Sequence, residues 1–183
     1  MTVDEDGDGW PDVPGDTALS VRVPEADSLV RAGFPAHVTV LYPFLHASRI
    51  DTGVEDRLTA LFGSRERFTL HFREFRRHPG ALMLDPSPVD PVRALIKDVR
   101  DEWPELIPYR GIFGDEGLDP HMTVSRGEGP DEYEAAYDAL ESEFASLLPL
   151  SSSVREVRLI IWDGTAWQDR TRYRLGDPPH PSL

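Results

Sequence analysis

The sequence predicts an α+β fold of two pseudo-symmetric lobes, and three observations carry that expectation. Strand-like alternation and helix-like spacing come in two similar sets along the 183 residues. Each set contains one short His-x-Thr-Val strand, at His37 and at His121, 84 residues apart. The length is enough for one domain with a sizeable core, or for two small lobes that share one.

Residues 1–16 are rich in Asp, Gly and Pro, show no apolar period, and are expected to form an acidic flexible extension. From Thr17 the pattern changes. Leu19, Val21 and Val23 alternate with Ala18, Ser20 and Arg22, which is strand spacing, and Pro24 then opens a short helix ending near Gly33. The run from His37 to Tyr42, bounded by Pro35 and Pro43, reads as a strand. Val54, Leu58, Leu61 and Phe62 share one face of a helix over 52–62.

Two strands follow, over 67–76 and 81–84, joined by a turn at His78, Pro79 and Gly80. Val92, Leu95, Ile96 and Val99 mark a helix over 89–103 that Pro104 stops. A Gly-rich loop from Tyr109 to Gly114 leads to the second motif strand, 121–125. A helix over 131–147 with Asp131 near its N-terminus, and strands over 154–162 and 171–175, complete the set. Trp162 and Trp167 flank Asp163 and Gly164, a hairpin turn, and read as packing residues. The domain is therefore expected over 17–176, with a loose Pro-rich tail over 177–183.

Composition excludes several classes. With 39% hydrophobic and 28% charged residues and no long apolar run, the chain reads as a soluble globular protein that does not enter a membrane. No basic segment precedes an apolar one near the N-terminus, and there is no cysteine for disulfides or thiolate metal sites, which together point to the cytoplasm. The net charge is −14. Six acidic groups fall within residues 1–16, which have no Lys or Arg, yet the rest of the chain is also acidic. Long nucleic acids are disfavoured partners, because affinity for a phosphate backbone depends on Lys and Arg. An anionic substrate should be small, or only the end of a strand.

In a strand, residues i and i+2 share a face, so His37 lies beside Thr39, and His121 beside Thr123, each pair roughly 7 Å apart along the chain. If the two strands meet across a cleft, two imidazoles can share proton transfer and two hydroxyls can donate to phosphate oxygens. Chance does not account for the pair. Six histidines of this composition should yield on the order of 0.1 matches to the pattern, and two occur. His46, followed by Ala47, Ser48 and Arg49, fails at its fourth position and reads as a decoy.

The runs from Pro35 to Phe44 (PAHVTVLYPF) and from Pro120 to Arg126 (PHMTVSR) resemble the two signature strands of the 2H phosphoesterase superfamily, in its bacterial branch of 2′-5′ RNA ligase-like and cyclic phosphodiesterase proteins. The resemblance covers about residues 17–175. It implies a bilobal fold with antiparallel sheets, helices outside and a central cleft across which the two strands face each other. It implies catalytic His37 and His121, no metal or other cofactor, and metal-independent hydrolysis of 2′,3′-cyclic or related cyclic phosphates on nucleotides or RNA 3′ ends. By resemblance His121 activates water and His37 protonates the leaving 3′-oxygen to give a 2′-phosphate, although pseudo-symmetry allows the reverse.

Thr39 and Thr123 are the candidate phosphate donors, with Arg126 a third because the family often has a basic residue there. Arg126 also has a plain reading as a strand-end surface residue, and in a regular strand it would face away from His121. Tyr109 and Phe113 are the base-stacking candidates, while Tyr42 fits a core position as well. Asp4, Asp6 and Asp8 followed by Gly9 start like a calcium loop, but position twelve is Gly15 and no helix can precede it. Three functions compete: a cyclic phosphodiesterase, a nucleotide- or RNA-end-binding module without turnover, and a metallohydrolase, for which two His without nearby carboxylates make a poor ligand set. RNA ligation is the family alternative, and the acidic chain weighs against it.

Overall fold

Residues 12–31, 34–78, 80–126 and 133–177 are the ones described, and among them a computed structural model gives nine strands and three α-helices that carry the site. The largest sheet has the order β2-β1-β8-β9, all antiparallel, with β1 Thr17–Arg22, β2 His37–Leu41, β8 Glu156–Trp162 and β9 Trp167–Arg174. A second antiparallel sheet has the order β4-β5-β6, from β4 Phe75–His78, β5 Ala81–Leu84 and β6 Met122–Arg126. Strands β3 Phe68–Phe72 and β7 Leu150–Val154 form a separate antiparallel pair. Each His-x-Thr strand is thus an edge strand of its own sheet, and β2 lies against β6.

The helices follow from the apolar spacing. In α1 Thr52–Gly63, the Asp51 carboxylate accepts from the Val54 amide at 2.9 Å and so caps the first turn, while Val54, Leu58 and Phe62 bury one stripe. In α2 Asp90–Glu102, Pro91 sits in the first turn and Val92, Leu95 and Val99 are buried; the helix ends ahead of Pro104. Both helices pack with Leu19, Val21, Val38 and Val40 in one core, which continues through Leu82, Leu84, Met122 and Val124 of the second sheet. Cutting Leu58, which is fully buried there, to Ala would cost about 2–5 kcal/mol. Helix α3 Tyr133–Phe144 is held to β4 by Arg77, which bonds Glu134, Asp138 and Glu141. The expected cap Asp131 lies outside the described residues.

Both motif strands carry a bulge at the same place. Leu41 pairs with Leu19 but Thr39 with Ser20, leaving Val40 as the extra residue. Thr123 pairs with Met83 but Ser125 with Leu82, leaving Val124. A bulge resets the side-chain alternation of its strand. The residue five positions after each histidine, Tyr42 in one case and Arg126 in the other, is thereby turned onto the histidine's own face. The Val124 carbonyl, freed at the bulge, accepts from the Arg31 amide at 2.7 Å and ties β6 to the segment ahead of β2.

Four expectations about elements change. The strand expected over 67–76 breaks at Arg73 and Glu74, and its halves enter different sheets. The helix expected from Pro24 is one 3-10 turn, Pro24–Ala26. Strand β7 was hidden by Ser151, Ser152 and Ser153, whose composition reads as loop although Ser152 and Val154 are buried in a ladder. Strand β9 starts at Trp167, directly opposite Trp162, and Asp163 accepts from the Thr165 and Ala166 amides at 2.8 Å to close the hairpin.

Residues 12–16, expected to lie outside the domain, are packed. The Gly15 amide donates to the Trp162 carbonyl at 2.8 Å, its carbonyl accepts from Ala47 at 2.8 Å, and Asp16 is buried. Gly15 has φ +97° and the His46 ring fills the space a side chain would need. The Asp-rich stretch at residues 4–8 lies outside the described residues. Among the described residues no helix is long and apolar enough to cross a membrane.

Candidate active site

His37 begins β2, and His121 immediately precedes β6. Each ring is fixed in the same way: Nδ1 of His37 bonds the Pro35 carbonyl at 2.8 Å, and Nδ1 of His121 bonds the Asp119 carbonyl at 2.8 Å. A carbonyl only accepts, so Nδ1 is the protonated nitrogen of each neutral ring and Nε2 carries the free lone pair. The two proline-containing turns therefore pre-set two imidazoles as bases of identical geometry.

Their electrostatics differ. Burial pushes the His37 imidazole down to about 4, with Arg126, His121 and Arg22 adding to the shift and the Pro35 bond opposing it. Burial also lowers His121, assisted by Arg126 and Arg76, but here the Asp85 carboxylate acts in the opposite direction. Charge on His121 also disfavours protonation of His37.

Thr39 is partly exposed and its hydroxyl is hydrogen-bonded with the Tyr109 hydroxyl; Thr123 is 9% exposed. Arg126, which regular alternation turns away, acts on both histidines, on Tyr109 and on Asp12, because the Val124 bulge has re-aimed it. The strand-parity objection to Arg126 is therefore overturned.

Tyr109 is half-buried. Its amide donates to the Tyr42 carbonyl at 2.6 Å, its ring lies 6.0 Å from that of Tyr42, and burial raises its hydroxyl pKa. Tyr109 and Arg110 both take left-handed backbone, φ +52° and +53°, which costs a non-glycine residue about 1–3 kcal/mol and persists only where surrounding contacts impose it. Phe113, 38% exposed and edge-on to Tyr109 at 5.4 Å, keeps an accessible ring. Phe34, missed from the sequence, meets His37 edge-on at 5.1 Å with Arg22 over its ring at 5.8 Å. Its place three residues before the histidine was the only available signal.

A network also missed from the sequence adjoins the Thr39 side. The Tyr42 hydroxyl donates to Asp12 and accepts from Arg110 at 2.8 Å, while Arg110 bonds buried Asp16 at 2.5 Å. On the His121 side, a cavity of about 580 Å³ is lined by His121, His78, Met83 and two ion pairs, Arg76 with Asp85 and Arg93 with Asp119. His46 is structural, bonding Ser48 and the Pro14 carbonyl. Among the described residues no group of three or more His, Asp or Glu side chains stands together as a metal site.

Residues 19–166 match the family model of the 2′-5′ RNA ligase superfamily. The chain belongs to that superfamily. The fold is similar to that of E. coli LigT, crystallised with 3′-AMP, which is 18% identical, with a TM-score of 0.56 over 90% of this chain and 100% of the LigT chain. A crystal structure described as a phosphoesterase is 17% identical, TM-score 0.54, over 90% and 100%. The protein TT0787 of Thermus thermophilus is 14% identical, TM-score 0.54, over 88% and 98%. No curated protein matches the chain. At these identities the solved structures establish for this superfamily member its α+β, antiparallel-sheet fold.

Proposed function

We propose that this superfamily member is a metal-independent phosphodiesterase that opens 2′,3′-cyclic phosphates of small nucleotides or RNA 3′ ends. The observation that carries the reading is the matched pair of imidazoles, each with Nδ1 bonded to a backbone carbonyl and Nε2 left for proton transfer. In the reaction, water attacks phosphorus as one neutral Nε2 takes its proton, the bond from phosphorus to one ribose oxygen breaks, and the other imidazole, protonated, gives that oxygen its proton. One water is consumed and a phosphomonoester is formed. Thr39, Thr123 and Arg126 donate to the non-bridging oxygens as their charge grows.

The phosphate anion also answers why two imidazoles with lowered pKa can act as an acid and a base. A negative charge between them raises both, so the catalytic proton enters with the substrate. Phe113 is the most exposed ring offered to the base, with half-buried Phe34 beside His37 and half-buried Tyr109 beside Thr39. The 3′-AMP held by LigT supports a nucleotide of this size. Ligation of two strands has less support, given a net charge of −14.

The test is turnover of 2′,3′-cyclic AMP by the native chain, His37→Ala and His121→Ala, with folding followed by circular dichroism. Each variant should stay folded and lose roughly 10²-fold or more in kcat. A folded variant with unchanged turnover overturns the reading, and nucleotide binding without turnover by the native chain would make it a binding module.

A further inference from the structure

The two bulges create an equivalence that the reaction centre does not use. Tyr42 and Arg126 stand at the same step after their histidines and on the histidines' faces; Arg126 is exposed, whereas the Tyr42 ring is buried against Ala18, Ile160 and Trp167 and carries its hydroxyl to Asp12. Arg126 serves the scissile phosphate in the reading above. Tyr42 lies three residues beyond Thr39, at most about 10 Å by strand rise, which is about the reach of one nucleotide.

What Tyr42 holds is an anion. Its hydroxyl donates to the Asp12 carboxylate, and Arg110 bonds the far side of the same hydroxyl at 2.8 Å with its guanidinium 5.5 Å from the ring centre. Asp12 is also attracted by Arg110 and by Arg126, the guanidinium that acts on His37 and His121. The charge of Arg126 is thus felt on both sides of the gap between the reaction centre and Asp12. Tyr109 spans the same gap, with its hydroxyl on Thr39 and its ring on Tyr42.

We propose that Tyr42 and Arg110 form a second anion subsite that takes a further, non-reacting phosphate of the substrate, and that the Asp12 carboxylate stands in for this phosphate in the free protein. The proposal rests on the cyclic-phosphate reading for the position of the first phosphate. A phosphate brings more acceptor oxygens and at least as much charge as the carboxylate it displaces, and it can bridge the phenol and the Arg110 guanidinium. Asp12 is a replaceable occupant: burial raises its pKa, and the neighbouring Asp16 raises it further, so its charge is held at a cost. Asp16, buried and bonded to Arg110, keeps that guanidinium aimed whether or not Asp12 is present. The Asp12 carboxylate then acquires a purpose, as a competitor that only a substrate with two phosphates displaces well.

The experiment compares three substrates at fixed ionic strength: 2′,3′-cyclic AMP, the same nucleoside cyclic phosphate carrying a 5′-phosphate, and a diadenosine dinucleotide ending in a 2′,3′-cyclic phosphate. The quantity read is the ratio of kcat/KM for each doubly phosphorylated substrate to that for the singly phosphorylated one. Asp12→Asn should raise the ratio about fivefold or more, and Tyr42→Phe should lower it. The substrate that gains more tells a terminal phosphate from a strand diester. In parallel, calorimetry with adenosine 2′,5′-bisphosphate and adenosine 2′-monophosphate reads the subsite without turnover, and Asp12→Asn should tighten only the bisphosphate. If no variant hydrolyses anything but the bisphosphate still gains, the subsite stands and the hydrolase reading falls. If turnover is intact while both ratios and both affinities are unmoved by Asp12→Asn and Tyr42→Phe, Asp12 is merely a structural strap and the proposal is overturned.

Discussion

Acidification should destabilise this protein through His37 in a window that one substitution can isolate. Burial takes the imidazole from an ordinary 6.5 down to about 4 in the folded chain. Between those values the unfolded chain binds a proton at His37 that the native chain does not. Native stability from this group is therefore complete above about pH 6.5 and falls as the pH drops toward 4. At 1.36 kcal/mol per unit the loss is about 3 kcal/mol, a large share of an ordinary domain's stability. The assay is urea unfolding of the native chain and His37→Asn at several pH values from 7.5 to 3.5. Subtracting the two curves cancels carboxylate effects common to both. The variant should gain on the native chain steadily between pH 6.5 and 4 and no further below that. Parallel curves across the window would refute the claim that this imidazole is held neutral by its surroundings.

Thr39→Val and Thr123→Val should each cost about 1–3 kcal/mol in transition-state stabilisation, read as kcat/KM on 2′,3′-cyclic AMP, since each removes a donor to a charged oxygen. Tyr109→Phe removes only the hydroxyl bonded with Thr39 and should lower kcat by about 1 kcal/mol's worth, roughly fivefold, with little change in KM; an effect on KM alone would return Tyr109 to base contact. Chelation with EDTA should leave turnover unchanged, because neither proton transfer calls on a Lewis acid, and loss restored by one added metal would move the metallohydrolase reading to first place.

Period-2 alternation exposed the motif strands because each buries one face and offers the other, so His37, Thr39, His121 and Thr123 were legible as a set. Their ring orientation was not. It depends on the Pro35 and Asp119 carbonyls, and every residue carries a carbonyl. The parity objection to Arg126 failed for a more instructive reason. Parity arguments assume a regular ladder, and the extra residue at Val124 has no compositional mark, since valine suits a bulge's neighbours as well as a strand. The same blindness concealed Tyr42, whose phenol reads as core from one side. Asp12 and Asp16 were hidden by averaging: a window over 1–16 is acidic and aperiodic, yet its last five residues owe their order to single long-range contacts with Trp162, Ala47, Tyr42 and Arg110.

The division of labour between the histidines can be argued from their neighbours. His37 feels only cations among its charged partners, Arg126, Arg22 and the opposing imidazole, on top of the stronger effect of burial. His121 feels Arg126 and Arg76 but also the Asp85 carboxylate, which favours its protonated form. When the pair shares one proton around a bound phosphate, we predict that the proton settles on His121. His37 is then the neutral base toward water, and His121 the acid toward the leaving ribose oxygen, the converse of what family resemblance implies. A diester whose leaving group is an activated phenol separates the two, because such a group departs without a proton. On it, His121→Ala should recover most of its loss, while His37→Ala should remain slower by roughly 10²-fold or more. Asp85→Asn, which removes the carboxylate but neither imidazole, should slow the native cyclic substrate and leave the phenyl diester nearly unaffected. Rescue of His37→Ala instead, with His121→Ala still slow, would restore the roles that resemblance implies and would mean that the bound phosphate reverses the order the free protein sets.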